Sequence, residues 1–382
     1  MEKITQVNGE RIRWSSTLLG LDLAQVAVEA HIPEKTLIEV LEGRGGLTFI
    51  QLQNLAKFFG RGVLFYLEPG PADEERIFTP QFRTLANQKP NLTPKVRALI
   101  QRVERQRDVF IRLREELGEP VTGMATPPRL PLNDPGRAGE IVRAWLALEG
   151  NHDFESYRAA VEHKGILVFR TNGYNGAWQI PKVDPIEGFC LYDEQCPVIV
   201  VRKQAAEARQ TFTLFHELGH LLLDGNSFID DEADLNQHFG AEHAANAFAG
   251  RLLVPEALLR GPAWERPPPE VAEFETWLQP LRRQLGVSTE MLLRRLLDLN
   301  VLSQVQYAGY RDWKNAQTFE EGEGGNRQFR HREPVHVFGQ RFARTVLDAM
   351  EQRRITTVKA SRYLDNLKIS DLRKLELHLA SL

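Results

Sequence analysis

At 382 residues the chain is too long for one ordinary domain, so two or three are predicted. Its 42% hydrophobic and 26% charged side chains suit a packed globular protein, and a net charge of −3 offers no strong field to nucleic acid or membrane. Two cysteines, Cys190 and Cys196, are too few for a disulfide framework. The opening MEKITQVNGERIRW lacks an apolar signal-peptide run, and no stretch nears the roughly 18 apolar residues that span a bilayer. A cytoplasmic chain with two free thiols and no membrane partner is expected.

In chain order, residues 10–67 read as short helices. LLGLDLAQVAVEA and LTFIQLQNLAKFF repeat apolar residues at helical spacing, and HIPEKTLIEVLEGRGG between them starts at Pro33 and stops at Gly43, Gly45 and Gly46. EPGPADEE (68–75) breaks the pattern, a long helix is predicted from about Thr93 to Leu117, and 118–137 form a second linker rich in Pro and Gly. Helices then follow near Ile141–Leu148 and Glu155–His163. ILVFR (166–170), EGFCLY (187–192) and PVIVV (197–201) read as strands, the last as a buried core strand rather than an edge open to an extended substrate. TFTLFHELGHLLL (211–223) and AEHAANAFAGRLL (241–253) read as helices. GPAWERPPP (261–269) interrupts the chain, helices resume over 270–299, residues 320–334 read as flexible, and 335–382 as helical. The divisions expected are 1–67, 68–137, 138–305 and 306–382, in an α+β chain.

The motif that carries chemistry is His216-Glu217-Leu218-Gly219-His220. Residues four apart on a helix share a face, so two imidazoles can hold one Zn²⁺. Glu217, rotated by roughly 100°, can stand beside the metal without ligating it, where a general base belongs. Phe212, Phe215, Leu218 and Leu222 form an apolar stripe and Asp224-Gly225 a stop. Two buried histidines one turn apart are costly unless something uses them.

A catalytic zinc takes a third protein ligand from another element. Asp224, Asp230, Asp231, Glu232 and Asp234 lie in a polar loop and read as solvated acids. Glu242 opens the next helix, with Asn246 one turn on to brace a ligand. Glu242 is the choice; His238 and His243 compete. His238, His243 and Tyr192 are also the weak candidates for stabilising an oxyanion.

RQTFTLFHELGHLLL paired with EHAANAFAGRLLVP resembles the ImmA/IrrE zinc metallopeptidases that carry an N-terminal Xre-type helix-turn-helix. Arg209, His216, Glu217 and His220 match the first motif; Glu242, Ala245, Asn246, Phe248, Ala249, Leu252, Leu253 and Pro255 fit the second. RIRWSSTLLGLDLAQVAVEAHIPEKTLIEVLEG resembles the Xre module, and QFRTL (81–85) and LGVSTEMLLRRLLDLNVLS resemble further family segments. The resemblance implies an N-terminal helix-turn-helix bundle, a central gluzincin-like metallopeptidase domain with a small sheet, and a helical C-terminal region. It implies zinc on His216, His220 and Glu242, with Glu217 as catalytic base. Its expected partner is a protein substrate, such as a helix-turn-helix repressor or a neighbouring toxin, in stress or mobile-element responses.

Charge bears on a DNA role. Residues 1–67 hold seven basic and seven acidic side chains, and PEKTLIEVLEG sets Glu34, Glu39 and Glu42 against Lys35 alone. A phosphate-binding module should be basic, so protein docking is favoured over DNA for this segment. Residues 76–117 carry ten bases and four acids, and 327–382 twelve and six, read as solvated helix faces, with a composite surface for nucleic acid or an acidic partner as the alternative. The alternative function is an antitoxin-like or transcription-regulatory binding protein whose zinc domain is mainly structural.

Overall fold

The computed structural model describes residues 3–18, 21–72, 85, 88, 89, 92–121, 123–149, 152–173, 176–231, 240–261, 264, 266–317 and 327–382. His238, Glu232, Asp234, most of QFRTL and the first part of the 320–334 stretch lie outside these residues. The chain is α+β and divides into two compact units, one of 1–105 with 180–184, the other of 106–179 with 185–382.

In the first unit, β1 (Lys3–Ile4), α1 (Gly9–Leu18), α2 (Leu23–Glu29), α3 (Glu34–Leu41), β2 (Leu47–Thr48) and α4 (Phe49–Phe58) surround a small core. Asp22 and Thr48 start α2 and α4 with reciprocal capping boxes. Val26, Leu37, Val40, Leu52, Leu55 and Tyr66 are buried together. The segment read as purely helical also closes with an antiparallel pair, Lys3 opposite Thr48 and Ile4 opposite Leu47. Helix α5 (Pro94–Glu116) runs from the first unit's residues into the second's.

The second unit begins its regular part with α6 (Pro135–Trp145), capped by Asp134 with Pro135 at its first position, and α7 (Phe154–His163), capped by Asp153. Strands β3 (Leu167–Arg170), β4 (Ile186–Leu191), β5 (Val198–Val201) and β6 (Phe228–Asp231) form one sheet in the order β3-β5-β4-β6. β3 and β5 are parallel, and β4 is antiparallel to both its neighbours. β5 is therefore interior, as its run of apolar residues indicates. Every residue of β3, β4 and β5 is buried, because helices cover both faces. Val168, Cys190, Ile199 and Val201 join Leu214, Phe215 and Leu218 in one core, while Phe169 meets Trp178, Phe338 and Phe342 edge-on.

Helix α8 (Glu207–Gly219) continues into a wider π-turn, His220–Asp224, and α9 (Gly240–Leu253) packs on α8. Then come α10 (Glu256–Leu259), α11 (Phe274–Trp277), α12 (Gln279–Leu285), α13 (Thr289–Asp298), α14 (Gln304–Asn315), α15 (Glu333–Glu351), α16 (Thr357–Tyr363) and α17 (Ile369–Ala380). α15 is broken at Gly339, which has a positive φ. There the buried Arg158 guanidinium donates to the carbonyls of Val335, His336 and Val337. No helix among the described residues is long and apolar enough to cross a membrane.

Candidate metal centre

Leu214, Phe215 and Leu218 bury one stripe of α8, and that burial carries His216, Glu217 and His220 into the interior at 0% exposure. A Cβ on Gly219 would stand 3.1 Å from Phe248 and 3.3 Å from the Ala245 backbone, so a side chain there would press α9 away by a few tenths of an ångström. That close approach brings Glu242 and Asn246 of α9 onto the histidines.

Nε2 of His216 and Nε2 of His220 face each other at 3.1 Å. Glu242 Oε2 lies 3.2 Å from the first and 3.5 Å from the second. Asp230 Oδ2, from β6, lies 3.4 and 3.5 Å from the same two atoms. Donors held about 2.0–2.1 Å from one ion at tetrahedral angles stand about 3.3–3.4 Å apart. The spacings match, and the four groups could hold one metal ion. The outer nitrogens are engaged as well: His216 Nδ1 lies 3.0 Å from Asn246 Oδ1 and His220 Nδ1 lies 3.1 Å from Asp224 Oδ2. Beside such acceptors each Nδ1 is a donor, which leaves the Nε2 lone pairs aimed inward. The Phe228 ring stacks on His220 at 4.0 Å and fixes its plane.

Burial and close pairing set the charge states of this group. Burial works against protons on His216 and His220, but hydrogen bonds to Asp230 and Glu242, and to Asp224 and Glu242, outweigh it. His216 is raised and His220 reaches about 9. Burial alone would raise Glu242, yet bonding to both histidines holds it at about 2. Glu217 is pushed well above the usual carboxylate range, first by burial and then by the Asp230 charge. A metal must displace the imidazole protons to bind.

Glu217 lies beside this group and outside it. Neither of its carboxylate oxygens meets a hydrogen-bond donor. Gly188 of β4 makes its space: a Cβ there would fall 2.6 Å from Glu217 Oε1.

The remaining candidates fall elsewhere. His243 is exposed on α9, and Tyr192 follows β4 with its N–H on Ser227 Oγ. Cys190 and Cys196 are free and buried. Two acids assigned to a solvated loop belong to the site instead. Asp224 closes the π-turn onto His220, and Asp230, 1% exposed, sits on β6 opposite Gly188. The reading failed because FIDD is an edge strand that turns Asp230 towards a buried centre, so its sequence looks like loop. The alternation of Phe228 and Asp230 around Ile229 is the one signal that could have revealed it.

No curated protein matches the chain. Residues 161–297 match the family model described as the IrrE N-terminal-like domain, Peptidase M78, and this span includes the whole centre from His216 to Glu242. Residues 161–297 are thus similar to the IrrE N-terminal-like domain of a metallopeptidase family.

Proposed function

We propose that the chain is a zinc-dependent peptidase in which His216, His220 and Glu242 hold the metal and Glu217 is the general base. The observation that carries this reading is the convergence of both Nε2 atoms and Glu242 Oε2 within 3.1–3.5 Å of one another beside the buried Glu217 carboxylate. When bound, zinc supplies Lewis-acid polarisation of a scissile carbonyl, activation of water, and a positive charge that favours ionised Glu217. Glu217 takes a proton from the attacking water on a carboxylate oxygen and returns it to the departing amine. Asn246 and Asp224 fix the imidazole planes through Nδ1.

The substrate we propose is a regulatory protein of the helix-turn-helix repressor kind, brought to the peptidase by residues 1–67. Their even charge and the exposed Val28, Phe49, Ile50 and Leu64 support docking of protein over DNA. Asp230 favours a second reading, a binding regulator with a structural metal, because closed sites have four protein ligands and catalytic ones three.

The test is Glu217→Gln. Cells expressing wild type should show new protein N-termini that disappear with the variant, while metal content is equal in both. Identical N-termini under several stresses would support the binding reading instead.

A further inference from the structure

Asp230 has no role in the scheme above, yet it is placed like a ligand. Its Oδ2 is buried and makes no hydrogen bond of good geometry, the His216 and His220 Nε2 atoms standing off at 3.4 and 3.5 Å. A carboxylate oxygen in that state is costly unless a cation supplies the missing partner. Its 3.4 and 3.5 Å to the two Nε2 atoms are within 0.2 Å of the 3.2 and 3.5 Å of Glu242 Oε2. With both Nδ1 atoms engaged, the two Nε2 atoms are left for the metal, and with the Asp230 and Glu242 oxygens they lie within 4.8 Å of one another. Two carboxylates among the ligands also neutralise a divalent ion within its own coordination shell.

We infer that Asp230 is a fourth protein ligand, which closes the metal's coordination at rest. The inference rests on the metal reading above and extends it. A site closed by four side chains has no open position, so a peptidase built on it is latent until Asp230 moves away. The placement suits such a movement, since β6 pairs with β4 on one side only among the described strands. A bulge between Ile186 and Gly188 already loosens the register opposite Asp230.

The experiment uses the full chain loaded with Co²⁺, comparing wild type, Asp230→Ala, Asp230→Asn and His216→Ala. Metal affinity is measured by chelator competition, and exchangeable water on the metal by proton relaxation. Wild type should show no rapidly exchanging water. Asp230→Ala should still bind Co²⁺ through the other three residues, gain one exchanging water, and bind at least about tenfold more weakly. Asp230→Asn keeps the side-chain shape without the charge, and should weaken binding likewise if Asp230→Ala fails to fold. A coordinated water in wild type, with affinity within about threefold in both Asp230 variants, overturns the inference and leaves the three-ligand site standing. His216→Ala binding Co²⁺ as tightly as wild type would remove the metal site altogether.

Discussion

Gly188→Ala tests how the centre is packed. Gly188 lies on β4 between Val201 of β5 and Asp230 of β6. A methyl group there would stand 2.6 Å from Glu217 Oε1, 2.6 Å from Thr213 Cγ2 and 3.1 Å from the Val200 carbonyl oxygen. The first two distances are too short to persist, so a side chain must move. Thr213 is β-branched and buried, and Val200 O is backbone inside the sheet, which leaves Glu217 to yield. Adding one methyl to a filled interior costs about 1–3 kcal/mol. For a domain of this size that lowers Tm by about 2–4 °C per kcal/mol. A catalytic group misplaced by about 1 Å loses about 100-fold in rate. The histidines and Glu242 are untouched, so metal content should be unchanged. Thermal unfolding, metal analysis and the count of Glu217-dependent cleavage products measure the three effects. A variant within about 0.5 kcal/mol of wild type, with undiminished cleavage, would refute the packing argument.

Other outcomes follow from the same geometry. Asn246→Ala and Asp224→Asn each release one imidazole and should weaken zinc about 10–100-fold in chelator competition; unchanged affinity would remove their orienting role. His336 is held down to about 3 by burial, then by Arg170, Lys203 and Arg158. An unfolded histidine takes a proton near 6.5. The stability His336 contributes is thus complete above that pH and is lost as pH falls from 6.5 towards 3. His336→Gln should flatten the acid side of the stability profile by roughly 3 kcal/mol at pH 4 in denaturant titrations, and parallel profiles would contradict this. Lys35→Glu should leave the chain's affinity for duplex DNA unchanged; loss of a steeply salt-dependent affinity would argue for DNA reading by α3.

The interior strands and the helices of the centre were legible because their periodicities are undisturbed. ILVFR and PVIVV are apolar throughout, as strands covered on both faces must be, and the α8 stripe of Phe215 and Leu218 is continuous. Glu242 could be singled out because it opens a helix, where its orientation relative to Asn246 follows from helical spacing. Asp230 and Asp224 could not. Their burial comes from long-range pairing of β6 with β4 and from the π-turn after Gly219; the π-turn leaves no local pattern, and β6 only the brief alternation of Phe228 and Asp230. The β1–β2 pair is two residues long on each side, too short for alternation to show. The space at Gly188 is equally invisible in sequence, since it depends on how β4 and α8 meet.

Metal analysis of the purified full chain bears most directly on the central claim. Wild type should carry about one zinc per chain, and His216→Ala, His220→Ala and Glu242→Gln should lose it while Glu217→Gln retains it. Full zinc occupancy in His216→Ala and His220→Ala, or loss of zinc in Glu217→Gln with its fold intact, would contradict the assignment of ligands and base.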